Sequence, residues 1–128
     1  MKVSLVMPTI NVTTELELFL KSLKTQTYRD FELIVVDQNE GNEVFEIVKN
    51  YEEEFKIKYA KSDEKGLSLN RNRGLVLMEG EIVGFPDDDC EYQPDTLEKV
   101  VAFFEKKKDY RIYSCRTLER GKTYGTGV

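Results

Sequence analysis

Phe31-Glu32-Leu33-Ile34-Val35-Val36-Asp37 is the stretch on which the fold reading turns. It has the length of a strand, is apolar at every position but Glu32, and ends in a carboxylate. A strand with one solvated face alternates apolar and polar residues, whereas a nearly continuous apolar run is the pattern of a strand buried on both faces, as in parallel sheets. Working outward, Lys2 to Met7 is a second such run, stopped by Pro8, and Glu81 to Phe85 is another. Between the runs the period changes. Leu16, Phe19, Leu20 and Leu23 follow the spacing of a one-faced helix, with Thr14 and Glu17 at capping-box distance. Val44, Ile47, Val48 and Tyr51 repeat that spacing, as do Leu97, Val100, Val101 and Phe104, ahead of which Pro94 takes a first-turn position. Gly66 to Met78 is a further helix with an oddly polar start. Phe55, Ile57 and Tyr59 alternate with Lys56, Lys58 and Ala60, so this strand buries one face and belongs at a sheet edge. Tyr110, Ile112 and Ser114, alternating with Arg111, Tyr113 and Cys115, make a last strand. Strands and helices in strict alternation predict an α/β domain: a mostly parallel, Rossmann-like sheet with helices on both faces.

The chain has 128 residues, which suits a single domain over 1–128. It is 40% hydrophobic and 34% charged, a normal balance for a globule with a core. Lys and Arg number 19 against 24 Asp and Glu, a net charge of -5, and general nucleic-acid binding needs the opposite sign. Histidine is absent, which removes Ser-His triads, His general bases and His-ligated zinc. Two cysteines, Cys90 and Cys115, are too few for a disulfide scaffold and suit a reducing compartment. No apolar run reaches the roughly 20 residues of a membrane span, and the opening apolar stretch is shorter than a signal-peptide core. The expected location is the cytoplasm, free or peripheral at the inner face of the membrane, with no transmembrane segment and no nucleic-acid partner.

In a parallel sheet with right-handed crossovers all strands end at one edge, and ligands bind beyond those carboxyl ends where the strand order switches. The turns that fall there are Pro8-Thr9-Ile10-Asn11, Asp37-Gln38-Asn39, Ser62-Asp63-Glu64-Lys65-Gly66 and Asp87-Asp88-Asp89. All are polar, and all but the first carry carboxylates. Three adjacent carboxylates repel one another and are tolerated where a cation neutralises them. Oxygen donors without histidine suit a hard ion, Mg²⁺ or Mn²⁺, that keeps waters and takes further ligands from phosphates. The plainer alternative is a solvated acidic turn ahead of the Pro94 helix. Asp37 is either a carboxylate for a base or sugar, or an ordinary strand-end Asp; Asp63 carries the same ambiguity more weakly. Leu69-Asn70-Arg71-Asn72-Arg73-Gly74 puts two guanidinium forks near a helix start, where anions are attracted; a polar first turn on a surface helix is the bland reading. Lys106-Lys107-Lys108 complements a helix end, and Cys90, without a base nearby, reads as structural. A dinucleotide-binding G-x-G-x-x-G or a P-loop is absent after the first strand, and so is the acidic pair a receiver domain needs there.

Taken in order, these stretches resemble the family 2 glycosyltransferases of the GT-A (nucleotide-diphospho-sugar transferase) fold. Val3-Ser4-Leu5-Val6-Met7-Pro8-Thr9-Ile10-Asn11 is similar to that family's V-S-V-I-I-P-T-Y-N. Leu23-Lys24-Thr25-Gln26-Thr27-Tyr28 through Phe31 to Asp37 is similar to S-L-x-x-Q-T-Y-x-x-F-E-I-I-V-V-D. Gly66-Leu67-Ser68 with Arg71-Asn72-Arg73-Gly74 is similar to G-x-S-x-A-R-N-x-G, and Gly80 to Asp89 to G-E-Y-I-x-F-L-D-x-D. Each motif is modest; their order from the start of the chain to about Val101 is highly specific.

The resemblance implies an enzyme that moves a sugar with inversion from a nucleotide donor, usually UDP-linked, to an acceptor hydroxyl, using Mg²⁺ or Mn²⁺. The expected setting is bacterial surface polysaccharide synthesis, with a saccharide or lipid-linked saccharide as acceptor. Carried over by position, Pro8 and Thr9 line the base pocket with Asn11 beside them, Asp37 contacts the uracil, and Asp63 lies near the nucleoside. Arg71 serves the nucleotide, Asp87 and Asp88 approach ribose and metal, and Asp89 with Asp87 holds the metal. The chain departs from the family at Asp37-Gln38-Asn39-Glu40, where V-V-D-D-G-S is usual. Family members are longer, and their general base lies in the second half. The expectation is therefore the donor-binding half of such an enzyme, truncated, with the base and the acceptor-binding half beyond Val128. A non-catalytic nucleotide- or metal-binding module and a metal-dependent sugar-nucleotidyltransferase are the alternatives; no Gly-rich, Lys-bearing loop follows the first strand to favour the latter.

Overall fold

The computed structural model describes residues 1–111 and the backbone of 117–118 and 125–126. Eight elements alternate: β1 (Val3–Thr9), α1 (Thr14–Lys24), β2 (Phe31–Asp37), α2 (Glu43–Lys49), β3 (Lys56–Lys61), α3 (Leu67–Leu75), β4 (Ile82–Gly84) and α4 (Thr96–Lys106). β1 to β4 form one parallel sheet in the order β3-β2-β1-β4. A further antiparallel pair joins β5 (Thr117–Leu118) to β6 (Gly125–Thr126).

Period two along β1 and β2 sorts the core into two layers. Val3, Leu5, Met7, Phe31, Leu33 and Val35 face the larger one, with Leu16, Phe19, Leu20 and Leu23 of α1, Val44 and Val48 of α2, and Leu97 and Val101 of α4. Val6, Ile34 and Val36 face the other, covered by Leu75 at the end of α3 and by Met78 just beyond it. The four stripe residues of α1 are all fully buried while its fifth apolar residue, Leu18, is exposed, so the 3.6-residue stripe accounts for that helix's seat. α3 has no such stripe, and it lies close because of Gly74. A Cβ on Gly74 would stand 2.4 Å from Val6 Cγ1 and 3.3 Å from Val36 Cγ2.

Several sequence expectations shift in detail. The cap of α1 is Thr13 rather than Thr14, and no side-chain cap bond forms, so the Thr14–Glu17 capping box is not made. α4 begins at Thr96 after the cap Asp95; Pro94 stays outside it and uses its carbonyl to accept the Thr27 N–H at 2.8 Å. α3 stops at Leu75, short of Met78. β3 is an edge strand, with Ile57 and Tyr59 packed on the larger core. Of the strand expected over 110–115, Tyr110 and Arg111 lie outside any strand, and 112–115 fall outside the described residues.

Glu32, the one charge in the interior of the deciding run, is fully buried. Register sets Ser4 opposite Glu32, and Ser4 Oγ donates to Oε2 at 2.6 Å. The Glu79 N–H donates to the same oxygen at 2.7 Å, and Lys58 Nζ lies 3.1 Å from Oε1. Burial acts to raise the Glu32 pKa, but the bonds from Ser4, Glu79 and Lys58 outweigh it and hold the carboxyl below its ordinary value.

Candidate functional site

The chain runs from β1 outward through β2 to β3, then returns to place β4 on the other side of β1. The strand order therefore switches between β1 and β4, and a crevice opens beyond their carboxyl ends. It is a cleft of about 290 Å³ lined by Pro8, Ile10, Gln38, Lys65, Gly66, Leu67, Pro86, Asp87 and Asp88. A second lobe continues past Ile10, Asn11, Gln38, Asn39, Glu40 and Lys65. Ile10, Gln38 and Lys65 border both lobes.

The turn after β1 is bent by Asn11, whose φ of 62° is the one positive value outside glycine among the described residues. Its N–H donates to Asn39 Oδ1 at 2.9 Å, joining the β1 turn to the β2 turn. Ile10 N–H donates to Asp88 Oδ2 at 3.3 Å, joining β1 to the acidic run after β4. Asp87 is exposed at the cleft wall, 3.9 Å from Arg71 Nη2. The Arg71 guanidinium lies over the Phe85 ring at 5.3 Å, so one cation serves ring and carboxylate together. Arg71 Nε is buried and has no hydrogen-bond partner among the described residues.

Of the residues singled out from the sequence, Pro8, Asn11, Asp87 and Asp88 line the cleft and Arg71 stands behind Asp87. Thr9, Asp37, Asp63 and Asp89 are not among its lining residues. Thr9 is fully buried, with Oγ1 unpartnered among the described residues and its carbonyl accepting the Gln38 N–H at 3.0 Å. The Asp63 side chain is 94% exposed and stands 3.6 Å from Arg73 Nη1. Asp89 is exposed at the end of the acidic run. Asp37 is wholly buried. Its Oδ1 accepts from both the N–H and the Nδ2 of Asn39 at 2.9 Å, and its Oδ2 from Tyr59 OH at 2.5 Å and Lys61 Nζ at 3.4 Å. Burial and the Asp37 carboxylate together push the Tyr59 phenol well above its ordinary range.

Sequence reasoning passed over Gln38, Lys65, Gly66 and Ile10. A signal for Gln38 was present in the alternation of β2. Asp37 has the parity of Leu33 and Val35 and turns to the layer of Tyr59, whereas Gln38 has the parity of Ile34 and Val36 and turns to α3. Gly66 caps α3 at φ 145°, in the region open to glycine, and its N–H donates to Gln38 Oε1 at 2.9 Å. Cys90 behaves as structural: its thiol donates to the Asp87 carbonyl at 3.0 Å, and burial, then the Asp87 charge, pushes it up to about 12.

Among the described residues no group of three or more Asp, Glu or Cys side chains converges to enclose a metal. The acidic run fits a divalent ion of another kind. It offers exposed carboxylate oxygens at the cleft, suited to a hard ion completed by water and by the phosphates of a ligand.

The chain belongs to glycosyl transferase family 2, whose profile it matches over residues 4–126. It is 37% identical over 103 residues to the GalNAc(5)-diNAcBac-PP-undecaprenol beta-1,3-glucosyltransferase of Campylobacter jejuni, covering 78% of this chain and 33% of that protein. It is 36% identical over 98 residues to glycosyltransferase GlyA of Streptococcus pneumoniae, covering 76% of this chain and 14% of the relative. The crystal structure of S. aureus TarS 1-349 in complex with UDP superposes with a TM-score of 0.79 at 30% identity, over 84% of this chain and 33% of that one; TarS 1-349 has also been solved in complex with UDP-GlcNAc. The chain thus spans a third or less of the length of these proteins. Among the described residues no helix is long and apolar enough to cross a membrane.

Proposed function

We propose that this chain forms the nucleotide-sugar-binding part of a glycosyltransferase. The enzyme moves a sugar, with inversion, from a uridine-diphosphate donor to the hydroxyl of a saccharide or lipid-linked saccharide in surface polysaccharide synthesis, at the cytoplasmic side. The observation that supports it is the cleft at the β1–β4 switch point, bounded by Pro8, Gln38, Gly66, Asp87 and Asp88, in a chain similar to a protein solved with UDP.

The parts divide the work by chemistry. Pro8 and Ile10 offer apolar surface for a flat base. Arg71, stacked on Phe85 beside Asp87, and Lys65 at the junction of the two lobes offset the anionic charge of the acidic run and of a diphosphate. Asp89 and Asp87 are the residues that would hold Mg²⁺ or Mn²⁺ on the diphosphate. Such an ion, when bound, supplies Lewis-acid stabilisation of the departing nucleotide. The acceptor and its general base belong to parts of the family's longer proteins.

A thermal-shift measurement tests the reading. A ligand that binds only the folded state raises the melting temperature, by about 2.7 kcal/mol of added stability at a hundred times its Kd. UDP with Mn²⁺ should raise it clearly. UDP in EDTA should raise it much less. No shift with any nucleoside diphosphate, with or without metal, overturns the nucleotide reading, and equal shifts in EDTA overturn the metal.

A further inference from the structure

We propose that Gln38 selects the nucleobase, and that it does so by donating a hydrogen bond, so that the cleft accepts uracil and cytosine alike. The inference rests on the reading of the cleft as a nucleotide site and concerns what that site recognises.

Gln38 is 8% exposed and, with Ile10 and Lys65, borders both lobes. The orientation of its amide is dictated by its surroundings. The Gly66 N–H can only donate, and it meets Oε1 at 2.9 Å. Asn70 Nδ2 meets the same oxygen at 2.9 Å. That second amide is itself oriented by the carbonyls of Glu64 at 3.0 Å and Gly66 at 2.8 Å, which can only accept. Reversing the Gln38 amide would set its NH₂ against two donors. Oε1 is therefore committed to α3, and Nε2, which makes no hydrogen bond among the described residues, is the polar group left for a ligand.

The neighbours do not replace it. Asp37 is buried with both oxygens engaged. Asn39 uses Nδ2 on Asp37 and Oδ1 on the Asn11 N–H. A carboxylate at position 38 would accept the imide N3–H of uracil and meet an acceptor, N3, in cytosine, which favours uracil. An amide N–H cannot accept that proton. It donates equally to a ring carbonyl, which uracil and cytosine share, or to cytosine N3. The substitution thus removes the atom that would separate the two pyrimidines, and the donor class widens from uridine to pyrimidine nucleotides.

The test is calorimetric titration of this chain and of Gln38→Glu with UDP and CDP in Mn²⁺. Glu at this position keeps an oxygen for Gly66 and replaces the NH₂ with an acceptor. For the unmutated chain the two Kd values should agree within about tenfold, and in Gln38→Glu the ratio should move toward UDP by at least about tenfold. A preference for UDP beyond tenfold in the unmutated chain overturns the proposal and points to Glu40 or Asp88 as the imide reader; this arm does not depend on the variant folding. An unmoved ratio in a variant with unchanged circular dichroism also overturns it. Failure of both nucleotides to bind the unmutated chain instead removes the nucleotide reading, and this inference with it.

Discussion

Asp37 and Gln38 are adjacent, and one peptide bond separates a structural carboxylate from a residue at the cleft. Asp37 holds the β2 turn through Asn39 and the β3 edge through Tyr59 and Lys61. Asp37→Asn keeps the shape but turns an NH₂ toward one set of donors. Its unfolding free energy in urea should fall by about 2–3 kcal/mol, the scale for an unmatched buried partner of a charged group. A change within error would mean that these bonds contribute nothing net. Asp89 belongs to a different class of residue, exposed and placed by the family's acidic motif. Asp89→Asn should leave the urea midpoint unchanged while the Mn²⁺-dependent part of UDP binding drops at least about tenfold. Retained metal dependence would move the ligand to Asp87. The sequence marked both positions as chemically interesting. It did not reveal that the first is consumed by its own fold, because the partners that consume it come from β3 and from a turn 2–24 residues away.

Among the elements, α3 departs furthest from pattern. It lacks the apolar stripe of α1 and buries Asn70 and Gly74 instead. Close approach, not a wide apolar face, seats it, and this brings Asn70 and the Gly66 N–H to Gln38. Gly74→Ala tests that arrangement. Helix propensity alone would favour alanine by about 1 kcal/mol. With Cβ at 2.4 Å from Val6 Cγ1, overpacking should win, for a net loss of about 1–3 kcal/mol. In a Val6→Ala background the clashing methyl is gone and the loss should shrink, which a double-mutant cycle by chemical denaturation would read out. Additive costs would mean that α3 shifts freely. Helix and strand identities follow from local periods, and so α1, α2, β1, β2 and β3 stand close to where those periods put them. Caps were less legible: Thr14 has the right spacing, but the helix begins one residue earlier in cap terms and leaves the box unformed.

At the scale of the molecule, the edge of the sheet opposite the cleft carries a charge network that joins Glu79 to the buried Glu32. Lys2, Lys56 and Lys58 converge on Glu79, and Lys58 also reaches Glu32. Hydrogen bonds from Lys58 above all, then from Lys56 and Lys2, lower the Glu79 pKa to about 2. For Glu32 the folded pKa is also below the ordinary 4.5. A carboxyl whose folded pKa is depressed contributes stability that is complete above the unfolded value and lost as pH falls through the folded one. The melting temperature should therefore decline as pH drops below about 4.5. In Glu32→Gln the decline should be shallower and the stability at neutral pH lower by about 1–3 kcal/mol, since the Ser4, Glu79 and Lys58 donors lose a charged acceptor. Parallel pH profiles for the two proteins would remove Glu32 as a source of the acid sensitivity.

The sequence by itself determined the alternation of strands and helices, the parallel sheet buried on both faces, the edge position of β3, and the sheet edge at which the polar turns collect. Those follow from local period and from the handedness of crossovers, both written along the chain. Only the tertiary structure decided the strand order that opens the crevice between β1 and β4. It also decided the burial of Asp37, the pairing of Glu32 with Ser4 and Lys58, and the direction in which the Gln38 amide points. Each depends on groups distant in sequence meeting in space. A carboxylate or an amide is the same letter whether its hydrogen bonds are spent on its own chain or left for a ligand.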